Sequence, residues 1–185
     1  MVADFNPRSL GSNFNFAKIL AQTAYYKQIS DKKIIWANSV RLGFAVAVTG
    51  HVPLSQKFFT GGGSTIRGFP LNGAGPQRQV ATCPTGTTNC QDFITVPEGG
   101  NQLLIVNSEF RIPVPLKQGL GVVPFYDGGN VFPVIGFHGQ YTNTAGFGFR
   151  YATPVGPIRV DFGYNLNAPP GLKSFQYFIT IGQAF

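Results

Sequence analysis

The sequence predicts an all-β protein, an antiparallel transmembrane β-barrel, on three observations. Hydrophobic residues make up 43% of the 185 residues and charged residues only 11%, whereas soluble domains carry about 25% charged residues. No apolar run in the sequence approaches the ~20 residues that a membrane-spanning helix needs. Apolar and polar side chains instead alternate along most of the chain, with the period of a β-strand. Since only helices and closed barrels satisfy every backbone group in lipid, this pattern favours a barrel.

Seven segments carry the alternation, and residues near Phe5 would add a partial eighth strand. The clearest segment, residues 156–166, sets five apolar side chains against Arg159, Asp161 and two small or polar residues. A soluble sandwich would also show such a strand, but the whole set, with so few charges, fits an apolar face toward lipid and a polar face toward a lumen. The predicted strands are approximately 13–27, 34–48, 102–112, 121–132, 144–153, 156–166 and 174–185.

The connections between these strands differ greatly in length. Residues 113–119 and 153–157 are short turns rich in Pro and Gly. The segment 49–100 spans about fifty residues, and loops this long are usually functional. Since outer-membrane barrels have short turns on one side and long loops on the other, we expect 49–100 to be an extracellular loop.

The whole chain, residues 1–185, is expected to form one domain. Residues 1–8 lack the basic start and apolar core of a signal peptide. Seven or eight strands would also leave two open sheet edges, which favour aggregation. We therefore expect the chain to belong to a longer protein.

Composition and motifs argue against several other functions. The net charge is +7, but the basic residues are scattered and only Lys32 and Lys33 are adjacent, so no nucleic-acid platform is expected. His51 and His138 lie in loop-like segments, and Ser64 lacks the sequence context of a catalytic nucleophile. We expect no enzyme activity, no cofactor and no metal site.

Cys83 and Cys90 enclose a polar, turn-rich segment. Because no second cysteine pair or nearby histidine accompanies them, a disulfide is favoured over a metal site. A disulfide would indicate an oxidising compartment, such as the periplasm or the cell surface.

Three segments carry motifs in a fixed order along the chain. Residues 58–69 end in the triplet Arg67-Gly68-Phe69 after a glycine-rich approach. Residues 124–132 place Asp127 after two aromatic residues and before a glycine, and residues 146–161 lead into a final strand ending at Phe185. Together these segments resemble the BamA superfamily of outer-membrane assembly factors, also called the bacterial surface antigen family. The resemblance extends from about residue 6 to the last residue.

The resemblance implies that the chain is the C-terminal seven to eight strands of a sixteen-stranded barrel, with the long loop folded into the lumen. The first strands and the periplasmic POTRA domains would then lie outside the chain. The implied function is the insertion and folding of β-barrel precursors in the outer membrane of a Gram-negative-type bacterium. The partners would be the lipid bilayer, unfolded outer-membrane protein clients and accessory assembly subunits.

Two other functions stay open from the sequence. One is that of a polypeptide-transporting sibling in the same superfamily, such as a TamA-like protein, a two-partner secretion transporter or a patatin-like fusion barrel. The other is that of a small passive barrel with eight strands, whose lumen would be filled by side chains.

The triplet in the long loop is the first candidate site. A guanidinium matches a carboxylate in a bidentate pair. Strand parity supplies two candidate partners: Asp127, which alternates with Phe125 and Gly129, and Glu109, which lies on the polar face of its predicted strand. Gly68 permits a sharp turn that presents Arg67 and Phe69, and the resemblance implies contact between Arg67 and Asp127. The alternative is an ordinary flexible loop with a solvated Arg67.

The last strand is the second candidate site. Tyr177, Ile179, Ile181 and Phe185 point to one side of it, and its terminal aromatic resembles the sorting signal of outer-membrane barrels. The alternative is that such rings simply favour the membrane interface. The resemblance also implies that this strand forms one side of a seam that templates a client strand by β-augmentation.

Overall fold

Strands account for most of the chain in the computed structural model. The model describes residues 2–6, 15–29, 33–83, 92–115, 118–154, 156–168 and 173–182. One antiparallel sheet of eight strands has the order β1-β2-β3-β6-β7-β8-β9-β10, and β4 and β5 form a separate hairpin. The strands are β1 (Val2–Asn6), β2 (Asn15–Gln28), β3 (Ile35–Thr49), β4 (Gln77–Ala81), β5 (Phe93–Pro97), β6 (Gln102–Pro113), β7 (Leu120–Phe132), β8 (Thr142–Tyr151), β9 (Ile158–Asn165) and β10 (Phe175–Ile181). Among the described residues, no helix is long and apolar enough to cross a membrane.

The predicted strands correspond to the sheet strands with shifts of a few residues at their ends. β1 is the partial strand expected near Phe5, and it pairs with β2 from Val2 opposite Leu20 to Asn6 opposite Phe16. The described part of the last strand ends at Ile181, and Phe185 lies outside the described residues.

The sheet has two faces that follow the predicted alternation. In β9, Arg159, Asp161 and Asn165 are buried, whereas Ile158 and Tyr164 are exposed. We call the buried side of the sheet the inner face and the exposed side the outer face. In β10 the exposed outer side chains are Phe175, Tyr177, Ile179 and Ile181.

The inner face is not polar throughout, which corrects the sequence-based expectation. Leu103 and Ile105 of β6 and Val131 of β7 are buried on it, and they pack with loop residues that include Ile66 and Phe69. The run from Leu103 to Val106 is apolar at every position. Such a run is typical of a strand buried on both faces. The long loop covers this end of the inner face and buries Leu103 and Ile105, whereas Val106 on the outer face is exposed.

The connection between β3 and β6 contains structure that the sequence did not predict. A short 3-10 helix spans Leu54–Gln56, and isolated bridges join Phe58 to Gly100 and Thr60 to Ala74. The β4–β5 hairpin extends beyond these bridges, with most of its side chains exposed. The base of the loop is therefore packed on the sheet, whereas the hairpin projects from it.

Candidate functional site

Arg67 lies on the inner face of the sheet and binds Asp127 of β7 in a bidentate ion pair. Its Nε donates to Asp127 Oδ2 over 2.8 Å, and its Nη2 donates to Oδ1 over 2.8 Å. The backbone N–H of Arg67 also donates to Oδ2, over 3.0 Å. The two side chains are 1% and 0% exposed. A paired guanidinium and carboxylate of this geometry make the strong, directional form of hydrogen bond.

Glu109 of β6 and Phe125 of β7 complete the surroundings of the guanidinium. Arg67 Nη1 donates to Glu109 Oε2 over 2.9 Å, while Arg111 Nε donates to the other Glu109 oxygen over 2.8 Å. The guanidinium carbon lies 3.6 Å from the centroid of the Phe125 ring, a distance at which a cation is attracted by the ring face. Arg67 therefore contacts charged groups at its edge and an aromatic ring at its face.

Asp161 of β9 is a third carboxylate near Arg67, and the sequence analysis did not select it. Its Oδ1 lies 3.8 Å from Arg67 Nη1 and 2.7 Å from Arg150 Nη1. Its Oδ2 accepts a hydrogen bond from Arg159 Nη2 over 2.6 Å. The signal for Asp161 was available, because the alternation of residues 156–166 already assigned it to the polar face of its strand.

Arg67 and its neighbours form an ionic cluster of four arginines and three carboxylates on the inner face of the sheet. Its cations are Arg67, Arg111, Arg150 and Arg159, and its anions are Glu109, Asp127 and Asp161. Burial by itself would lower the pKa of Arg67, but the charge of Asp127, its hydrogen bonds and the charges of Glu109 and Asp161 raise that pKa above its ordinary value. Arg67 is therefore a permanent cation at this position.

Glycines let the loop backbone approach the sheet closely enough for these contacts. A Cβ on Gly163 of β9 would overlap the carbonyl oxygen of Arg67, and a Cβ on Gly68 would lie 2.6 Å from Thr144 Cγ2. Both positions therefore need a residue without a side chain. Asn107 Nδ2 adds a bond to the loop carbonyl of Thr65 over 2.6 Å.

The described candidate residues of β10 lie on the outer face, apart from this cluster. Tyr177, Ile179 and Ile181 are 65%, 69% and 71% exposed on the outer face of β10. Cys83 is at the end of a described range and Cys90 lies outside the described residues, so their disulfide stays a prediction. Across the described ranges, no group of three or more His, Cys, Asp and Glu side chains is placed to hold a metal ion.

Comparison with known proteins bears on this arrangement of a sheet and a docked loop. The family model described as the Omp85 superfamily domain matches residues 2–185. The chain belongs to the Omp85 superfamily. The resemblance to BamA-type barrels that three segments of the sequence carry is confirmed by this match together with two similar proteins.

Two relatives illustrate how this Omp85 chain compares with known proteins. The outer membrane protein assembly factor BamA of Nitratidesulfovibrio vulgaris is 24% identical over 169 residues, which cover 89% of this chain and 20% of the relative. The crystal structure of BamA from Haemophilus ducreyi lacking POTRA domains 1-3 is similar with a TM-score of 0.71 at 19% identity. That match covers 90% of this chain and 35% of the other.

The structural match confirms the predicted fold class, an antiparallel transmembrane β-barrel fold. The Omp85 chain spans about a fifth of its curated relative and about a third of the solved structure. The roles of the individual residues in the loop cluster and in β10 stay predictions.

Proposed function

We propose that this Omp85 chain is part of an outer-membrane assembly factor, which inserts and folds β-barrel precursors in the outer membrane of a Gram-negative-type bacterium. The observation that carries the proposal is the match of the Omp85 superfamily domain to residues 2–185, together with the matches to two BamA proteins. In the described sheet, β10 pairs with β9 and β1 pairs with β2, and β10 and β1 are the outer strands.

The edge of β10 offers a regular row of backbone groups. Asn165 N–H donates to Ser174 O, and Gly182 N–H donates to Pro157 O. In an antiparallel ladder the hydrogen-bonded positions alternate. The even-numbered residues of β10 therefore bond to β9. The odd-numbered residues, which include Tyr177 and Ile179, direct their N–H groups to the opposite edge of the strand. Unpaired backbone groups are costly in lipid, and an incoming strand that pairs with them is stabilised.

The docked loop supports assembly rather than passive permeation. Arg67, Ile66 and Phe69 are almost completely buried against the inner face. A loop fixed there would narrow a pore through the barrel. It also stiffens the sheet behind β10.

The proposed protein is larger than the chain described here. The eight-stranded sheet would be completed by further strands to a sixteen-stranded barrel, with residues 49–100 on its extracellular side. Periplasmic POTRA domains would receive unfolded clients and bind accessory subunits. The mechanism would need no covalent chemistry, only strand pairing at the edge.

The proposal is tested by reconstituting the full-length protein in lipid vesicles with a chemically denatured eight-stranded outer-membrane barrel as client. Folding of the client is followed by its heat-modifiable electrophoretic mobility. We expect faster folding than in empty vesicles, and loss of this acceleration in Ile179→Pro, because proline removes the edge-facing N–H. Ile179→Val keeps that N–H and is the matched control.

Other functions would give different results in the same vesicles. A polypeptide exporter would place client inside the vesicle, protected from protease but not integrated in the membrane. A passive pore would conduct ions without accelerating client folding. Either result, or full activity of Ile179→Pro, would overturn the proposal.

A further inference from the structure

We infer that Arg159 is a positioning residue that fastens the long loop at Gly63 to the last hairpin, β9–β10, so that the docked part of the loop and this hairpin move as one unit. Arg159 is 2% exposed. Its Nη2 donates both to the loop carbonyl of Gly63, over 2.9 Å, and to Asp161 Oδ2, over 2.6 Å. A single side chain thus connects the loop backbone to the ionic cluster.

Gly63 of the long loop also contacts the last strand, β10, directly. A Cβ placed on Gly63 would lie 3.1 Å from Cβ of Phe178 and 3.2 Å from its Cγ. Phe178 is partly buried on the inner side of β10, whereas its neighbours Tyr177 and Ile179 are exposed. The contact therefore lies behind the strand whose edge is open.

Further along the loop, the backbone of Arg67 and Gly68 lies against β9. The carbonyl of Arg67 occupies the space where a Cβ of Gly163 would be, and a Cβ on Gly68 would lie 3.5 Å from the backbone N of Asn165. The long loop thus contacts the β9–β10 hairpin at two places, at Gly63 and at the Arg67-Gly68-Phe69 triplet. Two separated attachments restrict both translation and rotation of the hairpin relative to the loop.

This attachment does not depend on what the protein does, although its consequence for assembly rests on the proposed function. If clients pair with the edge of β10, the docked loop holds the template strand in place while the client strand is added. A seam would then open between β10 and the strand that pairs with its edge, not between the loop and β10.

Cross-linking measures the attachment directly in the full-length protein in membranes. In a Cys83→Ser/Cys90→Ser background, Gly63→Cys and Phe178→Cys place two Cβ atoms about 3.1 Å apart, close to the ~3.5 to 4.5 Å of disulfides. We expect rapid disulfide formation. Arg159→Met should slow it on the order of tenfold, because a buried bond from a charged donor is lost, whereas Arg159→Lys should restore much of the rate.

Arg41→Met on β3 is the matched control, and it should leave the cross-linking rate unchanged. An equal loss in Arg41→Met and Arg159→Met would indicate general loosening and overturn the role of Arg159. So would an unchanged rate in Arg159→Met.

A second readout tests movement as one unit. The oxidised, cross-linked protein should fold the client at the same rate as its reduced form. Inhibition that reductant reverses would overturn the inference, because it would show that the loop and β10 must separate. If neither form folds the client, the proposed function fails while the cross-linking rates still decide the role of Arg159.

Discussion

Asp127 and Arg67 form a buried bidentate ion pair, and a double-mutant cycle measures their interaction. Arg67→Met and Asp127→Asn each leave a buried group without its partner and should destabilise the protein by ~3 to 5 kcal/mol. The double variant should be less destabilised than the sum, by ~1 to 3 kcal/mol. Glu109→Gln should cost less, because Arg67 keeps its bidentate bonds to Asp127.

The measurement is urea unfolding of the full-length protein in detergent, followed by heat-modifiable mobility. Additive effects of Arg67→Met and Asp127→Asn would contradict a direct pair. They would indicate that each residue acts through a different part of the cluster.

Individual residues show how far the sequence could define the site. The triplet and the strand alternation selected Arg67, Asp127 and Glu109, and the structure places all three in contact. The sequence assigned Arg159 only to the polar side of residues 156–166. Its bond to Gly63 joins residues 96 positions apart, and no local pattern encodes which distant carbonyl an arginine reaches.

The strands of the eight-stranded sheet were predictable because apolar and polar side chains alternate along them with a period of two residues. The β4–β5 hairpin was not, because its strands are exposed on most positions and carry no alternation of burial. The apolar inner side of β6 was missed for a related reason. Leu103 and Ile105 become buried only through the loop that folds over them.

The β4–β5 hairpin should be dispensable for docking of the long loop on the inner face. Its ion pair between Arg78 and Glu98 is exposed, at 3.6 Å, and such pairs contribute little. Replacing residues 79–95 by Asn-Gly, which forms a tight hairpin turn, should change the free energy of unfolding by less than ~0.5 kcal/mol. Arg67 should stay protected from trypsin in the folded protein.

Because that deletion also removes Cys83 and Cys90, Cys83→Ser/Cys90→Ser at full loop length is the control. Cleavage after Arg67 in the deletion but not in the serine variant would show that the hairpin itself holds the loop. Cleavage in both would assign the effect to the predicted disulfide.

The molecule as a whole exposes aromatic rings on the outer face of its sheet. Phe147 lies in the middle of β8, with its ring centroid 5.3 Å from that of Phe162, and Phe162 stacks at 6.2 Å on Phe175. Three adjacent strands thus present a continuous aromatic surface. In water such a surface would favour aggregation, whereas in a bilayer it faces apolar lipid chains.

Two phenylalanines with similar exposure separate these two environments. Phe147 is 50% exposed on the sheet and Phe93 is 54% exposed on the hairpin. Phe147→Arg should destabilise the membrane-integrated protein by ~2 to 4 kcal/mol, since it moves a charge into lipid. Phe93→Arg should change stability by less than ~0.5 kcal/mol, since the exposed β4–β5 hairpin belongs to the loop that we expect to be extracellular. Unfolding from vesicles measures both, and equal effects would mean that both rings meet the same solvent. Because side-chain type and exposure are matched, a difference larger than the loss of the Phe147–Phe162 ring contact reports the medium around the sheet.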